Sequence, residues 1–143
     1  MLEIVICLAI ISVLAGIGVP NLNQQLPKYR LNGAARRVSW DLIAARFDAI
    51  RQKHTVKVTF LNSQEYKIWI DKNNNNSEDT GEVTIRNIQS RYKGVQINSS
   101  KHPTFSATGT VTDPPNSDVP IVLSSATGSK YITMSAIGLV KIE

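Results

Sequence analysis

Six oxygen-bearing side chains fall at set positions of one short segment. Asp71, Asn73, Asn75, Ser77 and Asp79 take positions 1, 3, 5, 7 and 9 of a twelve-residue run that ends in Glu82. With this spacing a tight loop turns its oxygens inward onto Ca2+, and a bidentate carboxylate at the twelfth position closes the shell. The sixth position, glycine in such loops, is Asn76. Asparagine tolerates left-handed backbone better than most residues. Only Asp71, Asp79 and Glu82 bring charge, which predicts modest affinity. The same residues also describe a plain polar turn, since Asn and Asp favour turns for their own reasons. The flanking segments read as strands rather than the helices of an EF-hand, and the sequence leaves both readings open. Ca2+ is the one cofactor it offers.

A second group stands out by its surroundings. Glu3 is the sole charge before Lys28, and the stretch between them is largely apolar. A charged side chain beside lipid costs roughly 2.5–3.5 kcal/mol at mid-membrane and less near the interface. A carboxylate kept there implies a cationic partner. An acid in the first turn of a helix also favours the helix dipole by about 0.3–1 kcal/mol.

Nothing in the chain suits catalysis. His54 and His102 are the two histidines, and neither has a Cys or His neighbour at ligand spacing. There is no GxSxG, no phosphate-binding glycine loop and no HExxH. Cys7 is the single cysteine, so no intramolecular disulfide forms; it reads as a buried structural thiol.

These residues need elements to hold them. Ile4–Val19 is sixteen largely apolar residues, and extending to Leu26 gives about 34 Å of helix, enough for a hydrocarbon core of about 30 Å. An acid precedes this run and Pro-Asn-Leu-Asn follows it, which suits a retained anchor better than a cleaved signal. Gly16, Gly18 and Pro20 interrupt it: Pro20 cannot donate to the carbonyl of Gly16, and the glycines ease unwinding. They predict either an ordinary kink or a segment that melts as subunits are drawn into a polymer. Beyond Pro27, Leu31, Ala35, Val38, Leu42, Ala45 and Ala49 form one apolar stripe of an amphipathic helix. Ile43, Phe47 and Ile50 are expected to widen it, with Trp40 packing at its flank. Arg36, Arg37, Asp41, Arg51 and Lys53 are expected opposite.

From Thr55 the period becomes two. Val56–Phe60 and Tyr66–Ile70 read as a hairpin. Further strands are expected at Val83–Ile88, Val95–Asn98, Thr104–Ala107, Ile121–Ser124, Tyr131–Ser135 and Leu139–Ile142, with a turn at Ala136-Ile137-Gly138 and a long loop over Thr108–Pro120. The fold class is α+β: a long amino-terminal helix, then a β-rich head of antiparallel sheets wrapped on its amphipathic half. Three parts follow: 1–27 for the membrane and assembly half of the helix, 28–54 for the amphipathic half, and 55–143 for the head.

The net charge of +5 is uneven: Lys28–Lys57 carries +6, Glu3 carries −1, and the rest sums to zero. The basic segment predicts a charged helix face beside anionic lipid headgroups. A neutral head weighs against nucleic-acid binding.

Met1-Leu2-Glu3-Ile4-Val5 and Gly16-Ile17-Gly18-Val19-Pro20-Asn21 resemble the start of the type IV pilins and type II secretion pseudopilins. Tyr29–Arg36, Ala44-Ala45-Arg46, Asp79-Thr80-Gly81-Glu82 and Ser135–Val140 resemble the GspH/FimT-like minor pseudopilins within that superfamily. The resemblance covers nearly the whole chain. It implies a structural subunit of a secretion pseudopilus or type IV pilus, with bundled helices and heads outside. It implies cleavage by a prepilin peptidase, methylation of the new amino terminus, and pairing of Glu3 with a neighbouring subunit's amino terminus. The implied partners are other pilin subunits, an inner-membrane assembly platform, and membrane lipid before assembly. The implied location is a single-pass inner-membrane state, then a periplasmic or extracellular filament. The family's glutamate usually stands fifth and here stands third, so two mature residues and the leader are expected to be missing from this chain. A DNA-capturing minor pilin is the alternative, and a membrane-anchored head without an assembly role is a third.

Overall fold

The computed structural model describes residues 2–113 and 120–143. One helix, α1, runs Leu2–Gln52, about 76 Å at 1.5 Å per residue. It continues without a break through Gly16, Gly18 and Pro20. Glu3 lies in its first turn and Arg51 in its last, each suited to the dipole at its end. Lys53 ends the helix in a left-handed conformation, φ 56°, a geometry that frees the chain to turn toward the first strand.

Nine strands follow among the described residues: β1 Val56–Phe60, β2 Glu65–Ile70, β3 Val83–Asn87, β4 Gln96–Asn98, β5 Thr104–Phe105, β6 Val111–Asp113, β7 Ile121–Ser125, β8 Gly128–Met134 and β9 Val140–Ile142. They form two antiparallel sheets, ordered β3-β2-β1-β5-β6 and β4-β7-β8-β9. The expected hairpin pairs Val56 with Ile70 and Phe60 with Tyr66. β6 lies inside the segment expected to be a loop. Its pairing is with β5, and three residues between Gly109 and Pro114 are too short a run for alternation to announce it. The rest of that expected loop, 114–119, lies outside the described residues.

Both sheets pack on the carboxy-terminal half of α1. Leu31, Ala35, Val38, Leu42, Ala45 and Ala49 are all buried, with Ala34 beside them. The alanines bring the helix close to the sheets, so that Val38 and Leu42 reach a core shared with Val56, Val58, Phe105, Ile121, Leu123 and Ile132. Gly33 serves the same end: a Cβ there would sit 2.6 Å from the ring of Tyr92. Two backbone bonds tie the sheets together, Ile97 N–H to the Ser63 carbonyl at 2.8 Å and Val111 N–H to the Ala136 carbonyl at 2.9 Å.

The structure corrects several expectations about side chains. Asp41 is not on the solvent face. It is buried, and its Oδ2 accepts from Tyr66 Oη at 2.5 Å and from Arg37 Nε at 3.2 Å. Trp40 does not pack; it is 67 % exposed. Phe47 and Ile50 do not widen the buried stripe either, being 61 % and 40 % exposed. They lie too far round the helix, because the alanine stripe already fills the contact with the sheets. Cys7 is exposed, since nothing among the described residues covers this end of α1. His102 has a role the sequence did not suggest: its Nδ1 accepts the Phe60 N–H at 3.2 Å, and its ring stacks on Phe60.

Candidate functional site

The amino-terminal half of α1 presents side chains to solvent all round. Leu2, Ile4, Val5, Ile6, Leu8, Ile10, Ile11, Val13 and Leu14 are each more than half exposed. Glu3 sits among them with no salt-bridge partner among the described residues. A bare apolar rod of this kind is unstable in water and needs a covering, by lipid or by other helices. Among the described residues no helix is long and apolar enough to cross a membrane. The side chains of Ala15 and of residues 17–24 lie outside the description, Gly18 and Pro20 included.

The exposed surface does not stop where the head begins. Trp40, Ile43, Phe47 and Ile50 recur at steps of three and four, which makes a second apolar stripe on the same helix. Trp40 and Ile43 line a groove of about 390 Å3 with Val140 and Ile142 of β9. β9 is an edge strand, so its outer backbone groups are open. Ile137 and Leu139, at the β8–β9 turn, are also exposed. The helix therefore carries two faces: one buried in its own head, one left for something else. The Ser39 hydroxyl lies under this groove, fully buried and without a hydrogen-bond partner in the described structure.

The Asn-rich loop joins β2 to β3 and is held by its own hydrogen bonds. Asp71 is buried, and its two carboxylate oxygens accept the N–H groups of Asn75 and Asn76 at 3.1 and 3.0 Å. Asn76 takes φ 56° at the sixth position, and Asn74 is left-handed too. Glu82 is buried and accepts from Lys72 N–H and Trp69 Nε1. Asp79 accepts from the amides of Asn73 and Asn75 at 2.7 and 2.8 Å. These two bonds hold its carboxyl below the usual range, Asn73 contributing most. Ser77 donates its N–H to Asn75 Oδ1 at 2.7 Å. The six predicted oxygens thus share one loop, but every carboxylate in it is already engaged by N–H donors. Among the described residues no three Asp, Glu, His or Cys side chains converge where a metal would sit.

The family described as type II transport protein GspH matches residues 34–138. No curated protein is similar enough in sequence to count as a relative. Among solved structures, the type IV minor pilin FimU of Pseudomonas aeruginosa PAO1 superposes with a TM-score of 0.64 at 19 % identity, over 81 % of this chain and 90 % of that one. The minor pseudopilin EpsH from the type 2 secretion system of Vibrio cholerae superposes with a TM-score of 0.56 at 11 % identity, over 80 % and 96 %. Both likenesses are of fold: a long helix carrying antiparallel sheets. The family is one of structural subunits rather than enzymes. With most of its amphipathic helix half and nearly all of its head inside the match, the chain belongs to the GspH family of type II transport proteins.

Proposed function

We propose that the protein is a structural subunit of a helical filament, a type II secretion pseudopilus or a type IV pilus. Its helix lies in the filament core and its head outside. The observation that carries this is the helix surface: an exposed apolar half, continued by the second stripe Trp40–Phe47 on the half that already packs on the head. A helix used only as an anchor has no need of that second stripe. In this reading lipid of the inner membrane covers Leu2–Leu14 before assembly, and neighbouring helices cover it afterwards. Glu3 pairs with a neighbour's amino terminus, Gly16, Gly18 and Pro20 give a segment that can unwind, and the partners are other pilin-like subunits, a prepilin peptidase and an inner-membrane platform. The filament ends in the periplasm or outside the cell.

Glu3 gives the test. Glu3→Ala and Glu3→Gln are expected to reduce incorporation into filaments at least about tenfold, the factor given by each 1.4 kcal/mol of lost pairing. The membrane-held pool should stay unchanged. Quantifying the protein in sheared filaments and in membranes checks both. Equal incorporation of the variants would remove the assembly role, and would favour a head that is only anchored.

A Ca2+ site in the Asn-rich loop is a second reading, favoured by one observation. Asn76 adopts the left-handed backbone that the sixth loop position requires, although it is not glycine. Asp71, Asn73, Asn75, Ser77, Asp79 and Glu82 would hold the ion once the asparagine amides turned their oxygens inward. Ca2+ at ten times its dissociation constant would stabilise the fold by about 1.4 kcal/mol, or a rise of about 5 °C in melting temperature. Thermal melts in millimolar Ca2+ and in chelator decide; coincident curves leave the loop as a hydrogen-bonded turn.

A further inference from the structure

We infer that the cleft between α1 and the open edge of β3 seats a carboxylate-bearing segment of a different filament subunit. The cleft holds about 370 Å3 and is lined by Arg37 from the helix, Arg86 from β3, and Arg91 from the turn that follows, with Ile85, Ile88 and Tyr92 as an apolar wall. Three arginines from three segments line one space. Arg86 and Arg91 are exposed and have no ion-pair partner among the described residues. Arginine in such a group presents flat forks of donors that match a carboxylate two bonds at a time.

Two carboxylates lie nearby, and both are engaged. Asp41 is held by Tyr66 and Arg37. Glu65 is held by Asn87 at 2.8 Å and by Asn62 at 3.3 Å. Neither neutralises Arg86 or Arg91. β3 adds a second means of recognition. Among the described residues it pairs with β2 alone, so its other edge offers unpaired backbone groups to an extended chain lying in the cleft.

The charges argue for a partner other than a second copy. The chain carries +5, so copies repel one another. Of the acids whose side chains are described, Glu3 at the far end of α1 alone lacks a partner: Asp48 is taken by Arg51, Glu78 by Lys67, Glu143 by Lys141, and Asp71, Asp79 and Glu82 within the Asn-rich loop. A nucleic-acid backbone fits less well. Running on from the cleft it would meet Glu65 at the rim, and the apolar wall would have no phosphate to face. An acidic segment with an apolar side chain between its carboxylates satisfies both the arginines and Ile85, Ile88 and Tyr92. The inference rests on the filament reading for the source of the segment, but not for the binding itself.

The test uses the full chain in neutral detergent and a labelled, capped peptide with a Glu-Leu-Glu core, read by fluorescence anisotropy. Saturable binding is expected at low salt. Arg86→Gln with Arg91→Gln should weaken it at least about tenfold, a loss of about 1.4 kcal/mol, and should flatten its salt dependence. Arg86→Lys with Arg91→Lys should recover only part, because lysine keeps the charge and loses the fork. Glu3→Gln should bind the peptide as the parent does, so a failed filament assay and a failed binding assay remain distinct. Urea unfolding of the double glutamine variant checks that the fold is intact. Equal binding by parent and double glutamine variant overturns the inference. So does selective binding, through the same arginines, of a thymidine oligonucleotide or phosphatidylglycerol vesicles, and so does self-association of the parent that the double variant abolishes.

Discussion

Replacing Asp41 with alanine is expected to destabilise the fold by about 3 kcal/mol. The carboxylate accepts from Tyr66 and Arg37, and Tyr66 is only 1 % exposed. Removing it leaves the phenol hydroxyl buried without an acceptor, a loss of about 1–3 kcal/mol, and breaks a hydrogen bond to a charged group worth about 1.5–3 kcal/mol. Urea unfolding should show a midpoint lower by roughly 1–3 M for a slope of about 1–3 kcal/mol per M. Tyr66→Phe removes the donor and leaves the carboxylate near Arg37, so it should cost less, about 1–2 kcal/mol. A double-mutant cycle should then return a coupling of about 1 kcal/mol or more, since the two share one bond.

The same pair sets a pH dependence. Burial pushes the Tyr66 hydroxyl well above its ordinary value of 10.0, the bond to Asp41 and its charge raise it further, and Arg37 opposes them weakly. The folded state therefore holds this proton after the unfolded chain has released it. Its contribution is complete below about pH 10 and declines above it, by up to 1.36 kcal/mol per pH unit. Stability of the parent should fall more steeply through this alkaline range than that of Tyr66→Phe. Parallel slopes would mean that Tyr66 is not shielded as described.

This pair also shows why part of the molecule was legible in sequence and part was not. The alanine-rich stripe repeats at helical spacing, so its burial could be read from periodicity alone. The β1–β2 hairpin alternates over five and six residues, and it too was visible. Asp41 lies among charged residues on the same helix, and nothing local marks it as buried. Its acceptor role depends on Tyr66, twenty-five positions away. Trp40, Phe47 and Ile50 failed for a related reason. Periodicity finds an apolar face but cannot say how wide a stripe the sheets will cover, and small alanines made the covered stripe narrow.

The arginine cleft escaped a charge count for the opposite reason. Summed by segment, the head is neutral, and its basic residues appear scattered. Folding sets Arg37, which keeps Asp41, beside Arg86 and Arg91, which have no ion-pair partner among the described residues. The Asn-rich loop was recognisable because its residues are consecutive. That they would engage one another through hydrogen bonds was not, since spacing is the same for a loop that faces an ion and one that faces itself.

Gly138→Ala is expected to cost about 3 kcal/mol, more than its place in a hairpin turn suggests. Gly138 has φ 78°, and left-handed backbone costs an L-residue with a side chain about 1–2 kcal/mol. Space is the larger problem. A Cβ there would lie 2.7 Å from the Gly109 carbonyl oxygen and 2.6 Å from Arg46 Nε. Those two groups are themselves bonded at 2.9 Å, the contact that fixes α1 to the turn between β5 and β6. The Val111 N–H donates to Ala136 across the same junction, joining the two sheets. The methyl group must push apart helix, first sheet and second sheet where they meet, because main chain cannot rotate away as a flexible side chain would. Gly94→Ala is the control: its φ is 84°, and nothing lies within 4 Å of the added carbon. It should show the backbone cost alone, about 1–2 kcal/mol. The difference between the two urea midpoints isolates the steric share. Equal losses at Gly94 and Gly138 would mean that the junction yields, and that α1 is held to the sheets by the alanine stripe without help from Arg46.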